Sequence, residues 1–136
     1  MINMEISKRY LWLVVFAVSL LASCQKAPVN GDLDGQWQLQ SVTADGVTAV
    51  ADGLYLRIQL DVAQLAHGGE VVATGNMEYN GSTLKIDFPY VITQADLQSL
   101  APWGVYDNPV VFHMEELTSK RLVMTSGDVR VVCVKF

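Results

Sequence analysis

Residues 75–88 read Gly-Asn-Met-Glu-Tyr-Asn-Gly-Ser-Thr-Leu-Lys-Ile-Asp-Phe, GNMEYNGSTLKIDF. Apolar side chains fall on every second position, Met77 and Tyr79 on one arm, Leu84, Ile86 and Phe88 on the other. A period of two sends successive side chains to opposite faces of an extended strand. Asn80-Gly81 joins the arms, a pair favoured in type I′ turns because both central positions need positive φ. The stretch predicts a β-hairpin with one apolar face.

The same period extends in both directions. Trp37 and Leu39 alternate with glutamines; Leu54, Leu56, Ile58 and Leu60 alternate with Tyr55, Arg57, Gln59 and Asp61. Val71, Ala73 and Gly75 lead into the hairpin, Val110, Phe112 and Met114 follow it, then Leu122 and Met124, and Val129–Phe136 closes the chain. About seven strands result. Thr118-Ser119 and Ser126-Gly127 read as further tight turns. Consecutive hairpins build an antiparallel up-and-down meander, which curls into a barrel or half-barrel to hide its edges. An immunoglobulin-type sandwich would need long crossovers between sheets, and only one connection is long.

That connection is 89–108. Within it Thr93-Gln94-Ala95-Asp96 resembles a capping box, with Leu97 and Leu100 on one face of a short helix. It also carries Tyr90, Trp103 and Tyr106. A connection this long in a compact domain is usually functional or disordered, and its aromatic content argues for order. A lid, a plug for the barrel end and a partner surface all remain open.

The N-terminus is a different kind of sequence. Lys8 and Arg9 precede an apolar run from Leu11 to Ala22, too short for the roughly 20 residues a bilayer span needs. A positive head, a short apolar run and small residues at its end describe a secretory signal peptide, residues 1–23. Leu21-Ala22-Ser23-Cys24 resembles the bacterial lipobox, the recognition site of the lipoprotein signal peptidase. The resemblance implies cleavage before Cys24, acylation of its thiol and a membrane tether through N-terminal lipid. Gln25 stands where an aspartate would imply retention at the inner membrane, so the outer membrane is expected. No acidic run follows the cysteine, which favours the periplasmic face over surface exposure. Residues 24–33, with Pro28, Asn30 and Gly31, read as a flexible tether, about 30 Å at full stretch from Cys24. The β domain is expected over 34–136.

From Cys24 onward seven Lys/Arg face thirteen scattered Asp/Glu. This acidic balance argues against nucleic acid, which requires clustered positive charge. With Cys24 assigned to lipid, Cys133 has no disulfide partner in the chain. Its valine-rich surroundings read as a small buried hydrophobe. Asn30–Gly35 imitates the start of an EF-hand loop, but Ser41 occupies the place of the bidentate glutamate. His67, assigned to a turn, and His113 have no metal-ligand spacing, and Glu115-Glu116 reads as a solvated pair. No catalytic constellation, metal site or cofactor motif is expected.

Gly35-Gln36-Trp37, opening the first strand of a meander, resembles the Gly-x-Trp signature of lipocalins. The chain as a whole resembles small lipocalin-like lipoproteins of Gram-negative gut bacteria, with a lipobox, an LDGQWQL-type first strand and a VCVKF-type last one. The resemblance implies a small lipocalin-like barrel or half-barrel of about 7–8 strands with one short helix. It also implies that Trp37 closes one barrel end beneath a basic side chain, Arg130 or Lys135. The expected function is non-enzymatic. A small apolar ligand would sit among Leu56, Ile58, Met77, Ile86, Phe112 and Met114, beneath Tyr90, Trp103 and Tyr106. The alternative is a protein-interaction or inhibitor module of an envelope complex, with the aromatic connection as its contact. The inward residues could equally form a filled core.

Overall fold

The computed structural model describes residues 30–136. The signal peptide, the lipobox Leu21-Ala22-Ser23, Cys24 and most of the expected tether lie outside the described residues. Nine strands follow in order: β1 Gly35–Ala44, β2 Val47–Val50, β3 Leu54–Gln59, β4 Val62–His67, β5 Glu70–Tyr79, β6 Thr83–Asp87, β7 Val110–Leu117, β8 Arg121–Ser126 and β9 Val129–Lys135. One short helix, α1, spans Gln94–Gln98, and 3-10 turns cover Gly31–Leu33 and Ala101–Trp103.

All pairings are antiparallel, and β9 returns to pair with β1. The sheet is therefore a closed barrel of eight strands, with β2 as a ninth. β2 and β3 share one edge of β1: Ser41–Ala44 pair with β2, and Gly35–Gln38 pair with β3. Closure removes the unpaired edges that an open meander would expose. One barrel end carries the start of β1, the end of β9 and the turns after β3, β5 and β7. The other, here the mouth, carries the turns after β1, β4 and β8 and the long connection between β6 and β7.

Two strands escape the alternation pattern for separate reasons. β2 is exposed at all four positions, so it has no buried face to mark it. β4 reads Val-Ala-Gln-Leu-Ala-His, where a bulge between Leu65 and Ala66 breaks the period and leaves Leu65 and Ala66 both buried. His67, expected in a turn, is its last residue. Leu60, expected inward, is instead 57% exposed in the β3–β4 turn with φ of 56°.

The expected hairpins all form, but their turns differ in detail. Asn80-Gly81 is not a type I′ turn. Asn80 lacks positive φ, and its side-chain oxygen accepts from the backbone N–H groups of Ser82 and Thr83 at 3.0 and 2.8 Å. Asparagine here acts through its side chain, capping the loop as an Asx turn. The pair of positive φ values falls instead at Asp45 and Gly46, 51° and 75°, in the two-residue β1–β2 turn.

Candidate functional site

The closed end is built around Trp37. Its side chain is fully buried, and its Nε1–H donates to the Leu33 carbonyl at 2.8 Å. Leu33 is itself fully buried. The segment expected to be loose tether is thus part of the barrel floor by Leu33. Asn30 ties it further, its Nδ2 donating to Asp34 Oδ1 and to the Leu60 carbonyl, both at 2.7 Å.

The basic cover over Trp37 is Lys135, with Nζ 4.2 Å from the ring centroid. The ammonium also donates to the Asp32 carbonyl at 3.0 Å and to the Asp34 carbonyl. Burial pushes the Lys135 pKa down, opposed by the charges of Asp32 and Asp34. Gly35 leaves the room: its φ is 126°, and a Cβ there would stand 2.9 Å from Lys135 Nζ. Arg130, the other candidate, pairs with Glu115 at 3.4 Å.

The barrel interior is filled. Leu56, Ile58, Met77, Ile86 and Phe112 are buried as expected, and Met114 is half-buried. Leu39, Leu56, Leu65, Ile86, Trp103, Phe112 and Met124 converge on a void of only about 10 Å³. That is at or below the space one water needs. The inward residues form a packed core, not a preformed ligand pocket.

Trp103 is the reason. The expected aromatic cover does not stay together, because its three members take three positions. Trp103 is 5% exposed and reaches down into the interior, where its Nε1–H donates to the Tyr55 carbonyl at 3.2 Å. Gly104 turns the chain back at φ of 82°, with Val131 so close that a Cβ would lie 2.5 Å from its Cγ2. Tyr90 stands 86% exposed outside, and Tyr106 borders a shallow hollow at the mouth. Of the three roles open to this connection, Trp103 performs the plug.

Asn108 holds the two ends of the connection together. Its Oδ1 accepts from Phe88 N–H at 2.9 Å, and its Nδ2 donates to the Phe88 and Val91 carbonyls at 2.9 and 3.1 Å. Helix α1 forms with the expected capping box: Thr93 Oγ1 accepts from Asp96 N–H, and Asp96 accepts from Thr93 N–H. Hydrogen bonding to its carboxylate from the Thr93 side chain, and then from the Thr93 backbone N–H, holds Asp96 below the usual carboxylate range.

The mouth hollow, about 290 Å³, is bordered by Asp45, Tyr106, Asp107 and Asp128. Asp45 and Asp128 sit on neighbouring turns and hydrogen-bond to each other. That bond, followed by repulsion from Asp128, raises the Asp45 pKa, while the same bond lowers that of Asp128.

Residues 19–136 match the family of the lipocalin-like domain. The chain belongs to the lipocalin-like domain family. Two solved structures share the lipocalin-like fold. One is a lipocalin-like protein from Bacteroides uniformis ATCC 8492, with TM-score 0.64, 22% identity, and coverage of 78% of this chain and 100% of that one. The other is an uncharacterized protein from Bacteroides eggerthii DSM 20697, with TM-score 0.58, 18% identity, and coverage of 76% and 98%. A comparison with curated proteins finds no match.

The remaining reactive side chains of this lipocalin-like barrel are dispersed. Cys133 is fully buried, and burial pushes its thiol up to about 12, far from a nucleophile's range. His67 and His113 are exposed on different strands. Glu115 and Glu116 pair separately with Arg130 and Arg121, at 3.4 and 3.1 Å. Among the described residues no group of three or more His, Cys, Asp or Glu is placed to hold a metal.

One side chain that alternation treats as an ordinary outward residue stands apart. Arg57 lies between Gln36 of β1 and Gln64 of β4, its direct cross-strand neighbours. Its Nε is buried and, among the described residues, without a hydrogen-bond partner. No local signal marks this arginine in the sequence, because its isolation depends on neighbours from two other strands.

Proposed function

We propose that this lipocalin-like chain is a non-enzymatic, lipid-anchored protein of the outer membrane, facing the periplasm. It works through the outside of a filled barrel, engaging an envelope protein with the connection over its mouth. The N-terminal half of this reading rests on the lipobox ending at Cys24. The contrast between a 10 Å³ interior and the 86% and 84% exposure of Tyr90 and Ile92 carries the other half. Large apolar side chains exposed together favour a partner surface, and tyrosine is a favoured anchor in such surfaces.

Affinity purification of the native lipoprotein from solubilised envelopes tests this. A stoichiometric partner is expected, with affinity reduced by about 1–2 kcal/mol for each of Tyr90→Ser and Ile92→Ser. Thermal stability should be unchanged, since both side chains are exposed. No partner, or one indifferent to both substitutions, contradicts the reading.

A second reading keeps the small apolar ligand. Trp103 enters the barrel from a connection and not from a strand, so its withdrawal would break no strand pairing. A ligand would then replace the indole among Leu56, Ile86 and Phe112. This reading requires molecules retained inside the purified protein.

A further inference from the structure

We propose that Arg57 is the centre of an anion-binding site on the outer wall of the barrel, taking a small carboxylate with an apolar portion. The site is independent of the mouth. It is an open groove of about 730 Å³ across β1, β3 and β4, lined by Asp34, Gln36, Arg57, Leu60, Val62 and Gln64 among others.

Among the described residues the charge on Arg57 has no ion-pair partner. The ion pairs among the described residues are Arg121–Glu116 and Arg130–Glu115, and neither involves Arg57. The one carboxylate lining the groove, Asp34, is already engaged: Oδ1 accepts from Asn30 Nδ2 at 2.7 Å and Oδ2 from Asn30 N–H at 3.1 Å. A half-buried guanidinium with a buried, unpartnered Nε–H has lost water without gaining an acceptor. Leaving a buried donor unmade is costly, most of all on a charged group. A ligand that supplies the acceptor recovers that cost.

The surroundings define the acceptor's chemistry. Guanidinium presents a planar fork that matches the two oxygens of a carboxylate. Gln36 and Gln64 flank it in one row across three strands, spaced about 4.8 Å apart, and their amides can donate to further oxygens. Leu60, 57% exposed, and half-buried Val62 offer an apolar wall in the same groove. A carboxylate joined to an aliphatic group satisfies both halves.

The test is an NMR titration of labelled residues 25–136, which contain every strand of the barrel, with N-acetyl-leucine and, separately, N-acetylleucinamide. The two probes share the aliphatic group and differ in the carboxylate. Saturable shifts centred on Gln36, Arg57 and Gln64 are expected for the acid, with affinity falling roughly tenfold or more for the amide and in Arg57→Gln. Gln64→Ala should weaken binding by a smaller factor while preserving the spectrum elsewhere, which separates loss of the site from loss of the fold. Equal binding of the amide, undiminished binding by Arg57→Gln, or no saturable shift overturns the proposal.

Discussion

Replacing Trp103 with alanine is expected to lower the unfolding free energy by about 3–5 kcal/mol and to create a binding cavity where none exists. The indole is the part of the connection that fills the barrel, packed with Leu39, Leu56, Leu65, Ile86 and Phe112 around a residual void of about 10 Å³. Its removal opens an apolar space on the order of 150 Å³, the size at which engineered cavities stay dry and take up benzene. Added indole should bind Trp103→Ala and recover part of the lost thermal stability by mass action. It should leave the parent protein unaffected. A loss below about 1 kcal/mol, with no response to indole, would mean that Trp103 is not packed inside the barrel.

Trp37→Ala is expected to be at least as damaging, because three interactions leave together. The buried ring goes, at about 3–5 kcal/mol for a large aromatic. The Leu33 carbonyl loses its donor at 2.8 Å, and Lys135 loses the ring beneath it at 4.2 Å. For a domain of this size the melting temperature should fall by about 15 °C or more. Amide exchange should accelerate first at Gly31–Gly35, whose turn is held by that indole. Trp37→Phe retains much of the burial but not the hydrogen bond, so its loss should be distinctly smaller. Equal losses for Ala and Phe would assign the contribution to the N–H bond alone. Little loss from either would contradict the described closed end.

Much of this architecture is legible because half-buried antiparallel strands write their period into the sequence. Met77, Leu84, Ile86, Phe112 and Met124 could each be placed on the inner face from alternation. Helix α1 follows from Thr93 and Asp96 alone, since its cap is a local hydrogen-bonding device. The choice of Lys135 over Arg130 is different. Both are basic and near the chain's end, and only the register of β9 against β1 puts Lys135 opposite Trp37.

Strands without a regular buried face write no such period. β2 buries nothing, and only the Asp45-Gly46 pair could have announced it. The fate of the aromatic connection was equally hidden. Tyr90, Trp103 and Tyr106 have similar chemistry, and composition cannot say which of them turns inward. The decision lies in Gly104, whose left-handed backbone and missing Cβ let the chain pass close to Val131 and drop Trp103 into the barrel. Arg57 was hidden for the opposite reason. Its position on the outer face is routine, and the missing partner of its Nε emerges only once β1 and β4 are paired on either side of it.

A filled interior is the claim on which the reading of this lipocalin-like chain turns. Native mass spectrometry of residues 25–136, purified gently from a Gram-negative host, tests it most directly. The expected spectrum shows the bare polypeptide mass, unchanged after extraction with organic solvent. A retained mass that solvent releases as a lipid or other apolar molecule, and that Trp103→Ala alters, would contradict it and place the ligand inside the barrel.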